Sequence, residues 1–598
     1  MGNIEEAPRA GAMEIHMNRT HAAVLTAGLL FCFLVFAGCG NDVAPGADLV
    51  LVNGSVYSLA WGEPSAEGVI AGDAPHDDAG WHPDAEAVAV ADGRIVFVGT
   101  TADAQSHIGD TTRVIDVGGA VVLPGLVDSH AHIQELGRAE VQVNLVGVQT
   151  EEEAITRVVV RATDFAPGEW IIGWGWDEGA WANRYPTQSL LSERFPDNPV
   201  VLRSLHGFAV WTNSLALVEA GIDRNTPDPD GGRILRDNSG DPTGVLIDRA
   251  TTLVTSAIPE TSDEQMKEFV LAGLETMARD GYVAVHQAGA DTQIMRAFEE
   301  LEVEGRLPVR VYAMISLRDE SLCRRWIERG PKTDDSMLTA RSVKAYYDAA
   351  LGSRGARLLD DYTDRPGHRG VSGSDYGFNQ ELAAEMMRAG FQIGVHAIGD
   401  AGNRETLDFL ESIIRANPET RALRHRVEHA QVVHLDDFAR FAPAGLIAAM
   451  QPPHCVEDKT WAEARLGPVR VKGAYAWRTL RRACVPLTFS ADLAGSDHDI
   501  FYGLHAAITR RDKERQPPGG WYPEEAMTAE EALRGYTNWS AYAAGWEDRT
   551  GVLQPGRWAD MTVIDLDPLS VGETEPGRLL DGRILSTIVA GEVIVEDF

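Results

Sequence analysis

The chain has 598 residues, 44% of them hydrophobic and 24% charged, a globular composition that excludes wholesale disorder or a fibrous repeat. Its formal net charge is −36, with 89 acidic residues against 53 basic ones, which excludes nucleic acid as a partner because phosphate binding needs a basic surplus. The length suits about four average domains, or one large barrel with smaller attachments.

The N-terminus reads as an export signal. Arg19 precedes an apolar run from Ala22 to Ala37, shorter than the roughly 20 apolar residues of a membrane span. It ends in Val35-Phe36-Ala37-Gly38-Cys39, similar to a bacterial lipobox with Phe36 where Leu is usual. The pattern predicts a signal over residues 1–39, lipidation at Cys39, and a short tether from Gly40 to Ala47. The body would then be held on a membrane, facing the periplasm or the exterior. An ordinary cleaved signal or an uncleaved anchor is the alternative, and Met13 or Met17 can serve as the start. Cys323, Cys455 and Cys484 form no CxxC pair, which leaves one bridge or free thiols.

Ala47 to Tyr57 alternates around Asn53-Gly54, and Ala87 to Val98 alternates around Asp92-Gly93, so each reads as a hairpin. Residues 61–86, rich in Gly, Pro, Asp and Ala, read as an exposed loop. At the other end, Trp558 to Asp565 reads as a strand and Ile584 to Val595 as a hairpin turning at Gly591. Two β-rich ends predict one small β-sandwich built from residues 47–120 and 550–598.

The middle alternates β-branched runs with amphipathic helices. Asn379 can cap one helix, with Leu382, Met386 and Met387 on one face and Gly390 as its stop; Thr528 and Glu531 form a capping box for another. Eight strands are counted: 121–128, 282–287, 309–314, 342–347, 392–397, 426–430, 447–451 and 487–492. Eight β-then-α units predict an α/β fold, a (β/α)8 TIM barrel over 121–549 with an insertion at about 145–270.

The chemistry gathers at the strand ends. Strand one runs into Asp128-Ser129-His130-Ala131-His132, where residues two apart share a face and can meet one ion. An isolated pair of that spacing is weak evidence. His396, His429 and Asp492 close three further strands, and barrel enzymes assemble their sites from the C-terminal ends of several strands. Lys344 lies inside a β-branched and aromatic strand of a chain with six lysines, a costly place for an unmodified cation.

With these residues in place, the sequence resembles the amidohydrolase superfamily, in its amidohydrolase-3 or YtcJ-like branch. The resemblance spans about residues 47–598 and rests on Leu123 to His132, Pro199 to His206, Asn213 to Leu217, Gly231 to Asp237 and Pro242 to Leu246. It continues in Val343 to Ser353, Val395 to Asp400, Arg426 to Gln431 and Gly551 to Asp560. It implies a metal centre of two zinc ions, or other divalent metals. His130, His132 and Asp492 would hold one ion, His396 and His429 the other, and Lys344 would bridge them as a carbamate formed from CO2. A mononuclear site without Lys344 is the alternative. The implied reaction is hydrolysis of a carbon–nitrogen bond in a small amide or cyclic amide by hydroxide generated on the metal, with Asp492 as general base and then general acid.

Around that centre, His206 and His454 are expected to approach the substrate. Asp128 would orient the first histidine pair. Trp174, Trp176, Trp181 and Trp211 either wall an apolar substrate pocket or pack a core; Trp174 is taken as the substrate contact. Gln188 and Ser192 depart from the branch's pattern, where Arg and Asp are usual, so the insertion's substrate contacts follow the family less closely than its ligands do. An ester or phosphotriester hydrolase on the same centre is the second reading, because hydroxide and a Lewis acid do not choose the bond. A noncatalytic solute-binding lipoprotein is the third. A homodimer is implied by the resemblance alone.

Overall fold

The computed structural model describes residues 46–177, 181, 185–205, 207–493 and 495–598. The predicted signal and Cys39 lie outside these residues. No helix among the described residues is long and apolar enough to cross a membrane.

Both chain ends build a β-sandwich. One sheet has the order Arg94–Gly99, Ala87–Ala91, Leu49–Val52, Arg113–Asp116; the other has Ser55–Val56, Val121–Pro124, Met561–Ile564, Ile584–Val589, Glu592–Glu596. Leu51, Val90 and Ile115 of the first sheet bury against Val56, Val122, Met561 and Ile588 of the second. Asp92 and Gly93, both at positive φ (50° and 70°), make the expected hairpin turn between antiparallel strands.

Asn53-Gly54 is not a hairpin turn. Leu49–Val52 pairs with Ala87–Ala91 and Arg113–Asp116, whereas Ser55–Val56 pairs with Val121–Val122 in the opposite sheet. Asn53, at φ 57°, passes the chain from one sheet to the other, and its Nδ2 donates to Asp116 Oδ2 at 2.9 Å. All four residues of Leu49–Val52 are buried, so this strand needs partners on both edges and cover on both faces, which a two-stranded hairpin cannot give. Residues 61–86 also differ from the expected exposed loop. Trp61 and Trp81 join the barrel's hydrophobic core, and Trp61 Nε1 donates to Glu530 Oε1 at 2.8 Å.

The barrel strands are β1 (Leu126–Ala131), β2 (Tyr282–Ala290), β3 (Arg310–Ser316), β4 (Leu338–Tyr346), β5 (Gln392–Ala397), β6 (Arg426–His429), β7 (Ile447–Met450) and β8 (Leu487–Phe489). They form one eight-stranded sheet in that order, with every pairing parallel. The sheet nearly closes on itself: Asp492 N donates to His130 O at 3.2 Å and His132 N to Leu493 O at 2.9 Å. The fold is therefore a TIM barrel with an added sheet domain. The first predicted strand, 121–128, is two strands. Val121–Pro124 stays in the sandwich and β1 enters the barrel, with Gly125 at the break; a Cβ there would lie 2.3 Å from Val283 Cγ2.

After β1 comes helix α1 (Ile133–Val141), and α2 (Asp263–Arg279) precedes β2. They cross in backbone contact at two glycines: a Cβ on Gly137 would fall 1.6 Å from Phe269 O, and one on Gly273 would fall 2.2 Å from Ile133 O. Between the two helices the chain forms a separate six-stranded sheet from Val143 to Asp248. Trp176, Trp181 and Trp211 pack in one cluster on it, and Val201, Val210, Ile222 and Ile234 pack in another. The helix Gln380–Arg388 carries its expected cap, Asn379 accepting from Leu382 N at 3.1 Å, and both halves of the Thr528–Glu531 capping box are made.

Candidate metal centre

Five of the barrel strands, β1, β4, β5, β6 and β8, bring residues at or near their C-terminal ends to one spot on the rim. The Asp128 carboxylate accepts from His130 N at 2.9 Å and from Ala491 N at 3.0 Å, which pins the end of β1 to the segment following β8. Asp128 thus holds backbone rather than an imidazole, a correction to the expectation that it orients the ring pair directly. Two amides already occupy its oxygens, and burial pushes its carboxyl up to about 7.

Asp492 sits between the two predicted halves of the site. Its Oδ1 lies 3.3 Å from His132 Nε2 and 3.6 Å from His130 Nε2, while Oδ2 lies 3.8 Å from His454 Nε2 and 3.9 Å from His429 Nδ1. Two donor sets result, His130–His132–Asp492 and His429–His454–Asp492, each with its ligand atoms within 4.8 Å of one another. His454, expected only as a substrate contact, therefore stands at the centre itself. The His396 and His429 rings lie 4.4 Å apart. His429, Ala430 and Asp492 hold positive φ values of 73°, 40° and 59°, unusual backbone for residues other than glycine.

The partners of the rings decide which nitrogen faces the site. His130 Nδ1 is 2.6 Å from Glu428 Oε2, and a carboxylate that can only accept requires the proton on Nδ1, leaving Nε2 with its lone pair. Glu428 is in turn held by Arg426, whose NH2 donates to Oε2 at 2.9 Å and also to Ser129 O at 2.7 Å. Burial works against the Glu428 charge, but Arg426 and His130 outweigh it and hold its carboxyl well below the usual range. Gln451 Nε2 donates to Ser490 Oγ at 3.0 Å and to Ala449 O at 3.4 Å, a carbonyl that can only accept and so fixes the amide's orientation; Gln451 Oε1 then accepts from His429 Nδ1 at 2.9 Å. His396 Nε2 is buried without a hydrogen-bond partner. Its neighbour Asp348 lies 3.6 Å away and is already taken by the amides of Arg357, Ile398 and Gly399.

Lys344, buried within β4, donates from Nζ to His130 Nε2 at 2.8 Å and lies 4.8 Å from the Tyr346 ring. No carboxylate pairs with it among the described residues. Burial lowers its amine to about 8. Burial also lowers the His130 imidazole to about 4 and those of His396 and His429 well below the usual range, so all three rings are neutral donors at pH 7. Burial opposes the Asp492 charge, but the histidines around it, with a hydrogen bond from His132, hold its carboxyl well below the usual range. Neutral imidazoles around one carboxylate, with an orphaned His396 nitrogen beside them, form a donor set that fits a divalent metal such as zinc.

Other expected residues lie elsewhere. His206 is outside the described residues. Trp174 lines a cavity of about 680 Å³ with Glu135, Arg138, Arg203 and Leu205, and none of the six residues expected as metal ligands lines that cavity. Trp176, Trp181 and Trp211 are core, their indole N–H groups donating to Leu202 O, Val148 O and Thr187 O at 2.8, 2.9 and 2.9 Å. Cys323, Cys455 and Cys484 are free thiols. Glu428 and Gln451 were not read as site residues. For Glu428 the available signal was Arg426, two residues earlier on the same short strand.

A nearly closed parallel barrel whose strand ends bring histidines, an aspartate and a buried lysine to one rim defines the class. Residues 113–595 match the amidohydrolase family, and this chain belongs to it; it is a hydrolase. It is 31% identical to the YtcJ protein of Bacillus subtilis (strain 168) over 484 residues, 80% of this chain and 89% of that protein. It is 26% identical to the N-substituted formamide deformylase of Arthrobacter pascens over 496 residues, 79% of this chain and 88% of that enzyme. An uncharacterized metal-dependent hydrolase from Pyrococcus furiosus superposes with a TM-score of 0.67 at 27% identity, covering 87% of this chain and 99% of that one.

Proposed function

We propose that the chain is a zinc-dependent hydrolase that cleaves the carbon–nitrogen bond of a small non-peptide amide, linear or cyclic. The observation that carries this reading is the convergence of His130, His132 and Asp492, with Glu428 holding the His130 proton on the side away from the site. His130, His132 and Asp492 would hold one ion, and His396 with His429 a second, beside His454. Lys344 would bridge them as its carbamate. A buried amine with no carboxylate partner gains most from that change, because CO2 turns a costly ammonium into an anionic oxygen donor with the release of two protons.

When bound, the ions lower the pKa of water toward about 7 and polarise the scissile carbonyl. Asp492 moves the proton. Its Oδ1 lies 3.3 and 3.6 Å from His132 and His130, while Oδ2 stands farther from its own neighbours, 3.8 Å from His454 and 3.9 Å from His429, and would be the atom to accept a proton from the attacking water and return it to the leaving nitrogen. The carbon–oxygen bond forms, the carbon–nitrogen bond breaks, and the amine departs with that proton. Glu428 and Gln451 keep His130 and His429 in one tautomer throughout.

The relative from Arthrobacter pascens acts, by its name, on N-substituted formamides, which makes formamides the first amides to try. The test is a panel of formamides, cyclic amides, matched esters and a phosphotriester with zinc-reconstituted protein. Cleavage of the amides is expected; cleavage of an ester or phosphotriester with every amide untouched would replace this reading. The N-terminal pattern further supports an exported, lipid-anchored protein. Cys39→Ser should then release it from the membrane fraction of its host, and unchanged fractionation would contradict the anchor.

A further inference from the structure

Arg318 follows β3 at the C-terminal rim, one residue beyond Leu317. Its guanidinium lies 4.2 Å from the Tyr346 ring centroid and 5.2 Å from that of Tyr376. Among the described residues it makes no ion pair and no hydrogen bond. In a chain with 89 acidic and 53 basic residues, most surface arginines find a carboxylate, as Arg324 does with Glu385 and Arg329 with Glu299. Arg318 is instead positioned by two aromatic rings, an attraction of ring quadrupole to cation that leaves all five N–H donors unused. Asp319, beside it, caps the following helix through Leu322 N, and Asp375, beside Tyr376, accepts from Ser372 Oγ.

Tyr346 ties this arginine to the centre. Its ring lies 5.7 Å from that of His396 and 4.8 Å from Lys344 Nζ. Since the Arg318 and Lys344 charges are measured from one centroid, at 4.2 and 4.8 Å, they lie within about 9 Å of each other. That is the span of one small molecule, so a group held by the guanidinium and a bond placed at the metal centre can belong to the same substrate.

We infer that Arg318 reads a carboxylate on the substrate, so that the preferred amides are those carrying a carboxylate a few bonds from the scissile nitrogen. The inference rests on the amide-hydrolase reading above and narrows it. A guanidinium offers a planar fork of parallel N–H donors that a carboxylate meets with two bonds. The arginine stays outside the bond-breaking step: its role is to hold and select.

The test compares N-formylphenylalanine with N-formylphenethylamine, which differ by the carboxylate alone, on the zinc-reconstituted wild type, Arg318→Ala and Arg318→Lys. For the wild type, kcat/KM is expected to favour the acid. Arg318→Ala should lower it about 10- to 100-fold for the acid and leave it unchanged for the neutral amide, with Arg318→Lys between. Calorimetric binding of both compounds to the same proteins supplies a readout independent of turnover. Arg318-dependent binding of the acid without cleavage of either compound would sink the hydrolase reading of these amides and keep the carboxylate site. Equal kcat/KM or equal affinity for the two compounds in wild type and Arg318→Ala would overturn the inference and leave the hydrolase reading standing. Binding of neither compound would overturn it as well.

Discussion

At the rim of the barrel, His130 and His429 turn Nδ1 toward an acceptor, the Glu428 carboxylate in one case and the Gln451 amide oxygen in the other. Elsewhere in the same barrel, His286 and His425 turn Nδ1 toward a donor. The Arg426 guanidinium lies 3.0 Å from His286 Nδ1, and Ile393 N lies 3.1 Å from His425 Nδ1. All four rings are buried, and burial lowers all four imidazoles below their usual value. An acceptor at Nδ1 leaves Nε2 as a lone pair, which a metal can use. A donor at Nδ1 leaves Nε2 carrying a proton, which a metal cannot use. The Nε2 atoms of His286 and His425 are unpartnered too, so an orphaned nitrogen by itself does not mark a ligand; the sign of the group on the far side of the ring does.

The comparison breaks first at Asp492, the one carboxylate the rim nitrogens share. Asp492→Asn removes the proton-carrying oxygen and should lower turnover by about 10²- to 10⁴-fold in a steady-state assay on the best amide of the panel. Unchanged turnover would end its role as base. Next comes the acceptor behind His130. Glu428→Gln is expected to weaken zinc binding by about 10- to 100-fold in a chelator competition, because it swaps the charged acceptor for an amide and leaves Arg426 without its charge partner. Gln451→Leu should follow with a smaller loss, since a neutral acceptor behind His429 is replaced by nothing. By contrast, a substitution at His286 that folds should leave zinc affinity unchanged; a loss as large as that of Glu428→Gln would erase the distinction between the two groups.

The smallest expected effect is on stability against pH. The His425 imidazole is lowered by burial to about 3, against 6.5 for an ordinary histidine. Between those values the unfolded chain binds more protons than the folded one, so this histidine's contribution is complete above pH 6.5 and is lost as pH falls toward 3. Urea midpoints of the metal-free protein at pH 7 and pH 5 should therefore differ less in His425→Leu than in the wild type. An equal difference would mean that the ring is not buried neutral.

Much of the barrel was readable in the sequence because its cues are local. A β-branched run ending in His, or a lysine between Val343 and Ala345, carries its meaning within a few residues. Six ligand candidates came from strand ends for that reason, and the structure brings them to one rim. The tautomer-setting contacts were not readable. Glu428 and His130 are 298 positions apart, and only barrel closure makes them neighbours. The same limit explains Asn53-Gly54, whose local signal was sound while the partners of its flanking strands lay 37 to 66 residues away. It also explains the tryptophans of the insertion: their clustering was visible, but whether each indole N–H already had a carbonyl was not, and that separates Trp176, Trp181 and Trp211 from Trp174.

The account turns on whether the rim nitrogens hold metal, so the most direct measurement is elemental analysis of protein prepared with zinc and bicarbonate, beside Lys344→Ala. The prediction is close to two zinc ions per chain, falling in the variant. One ion in both would make the site mononuclear, with Lys344 structural. No bound metal in the wild type would contradict the account.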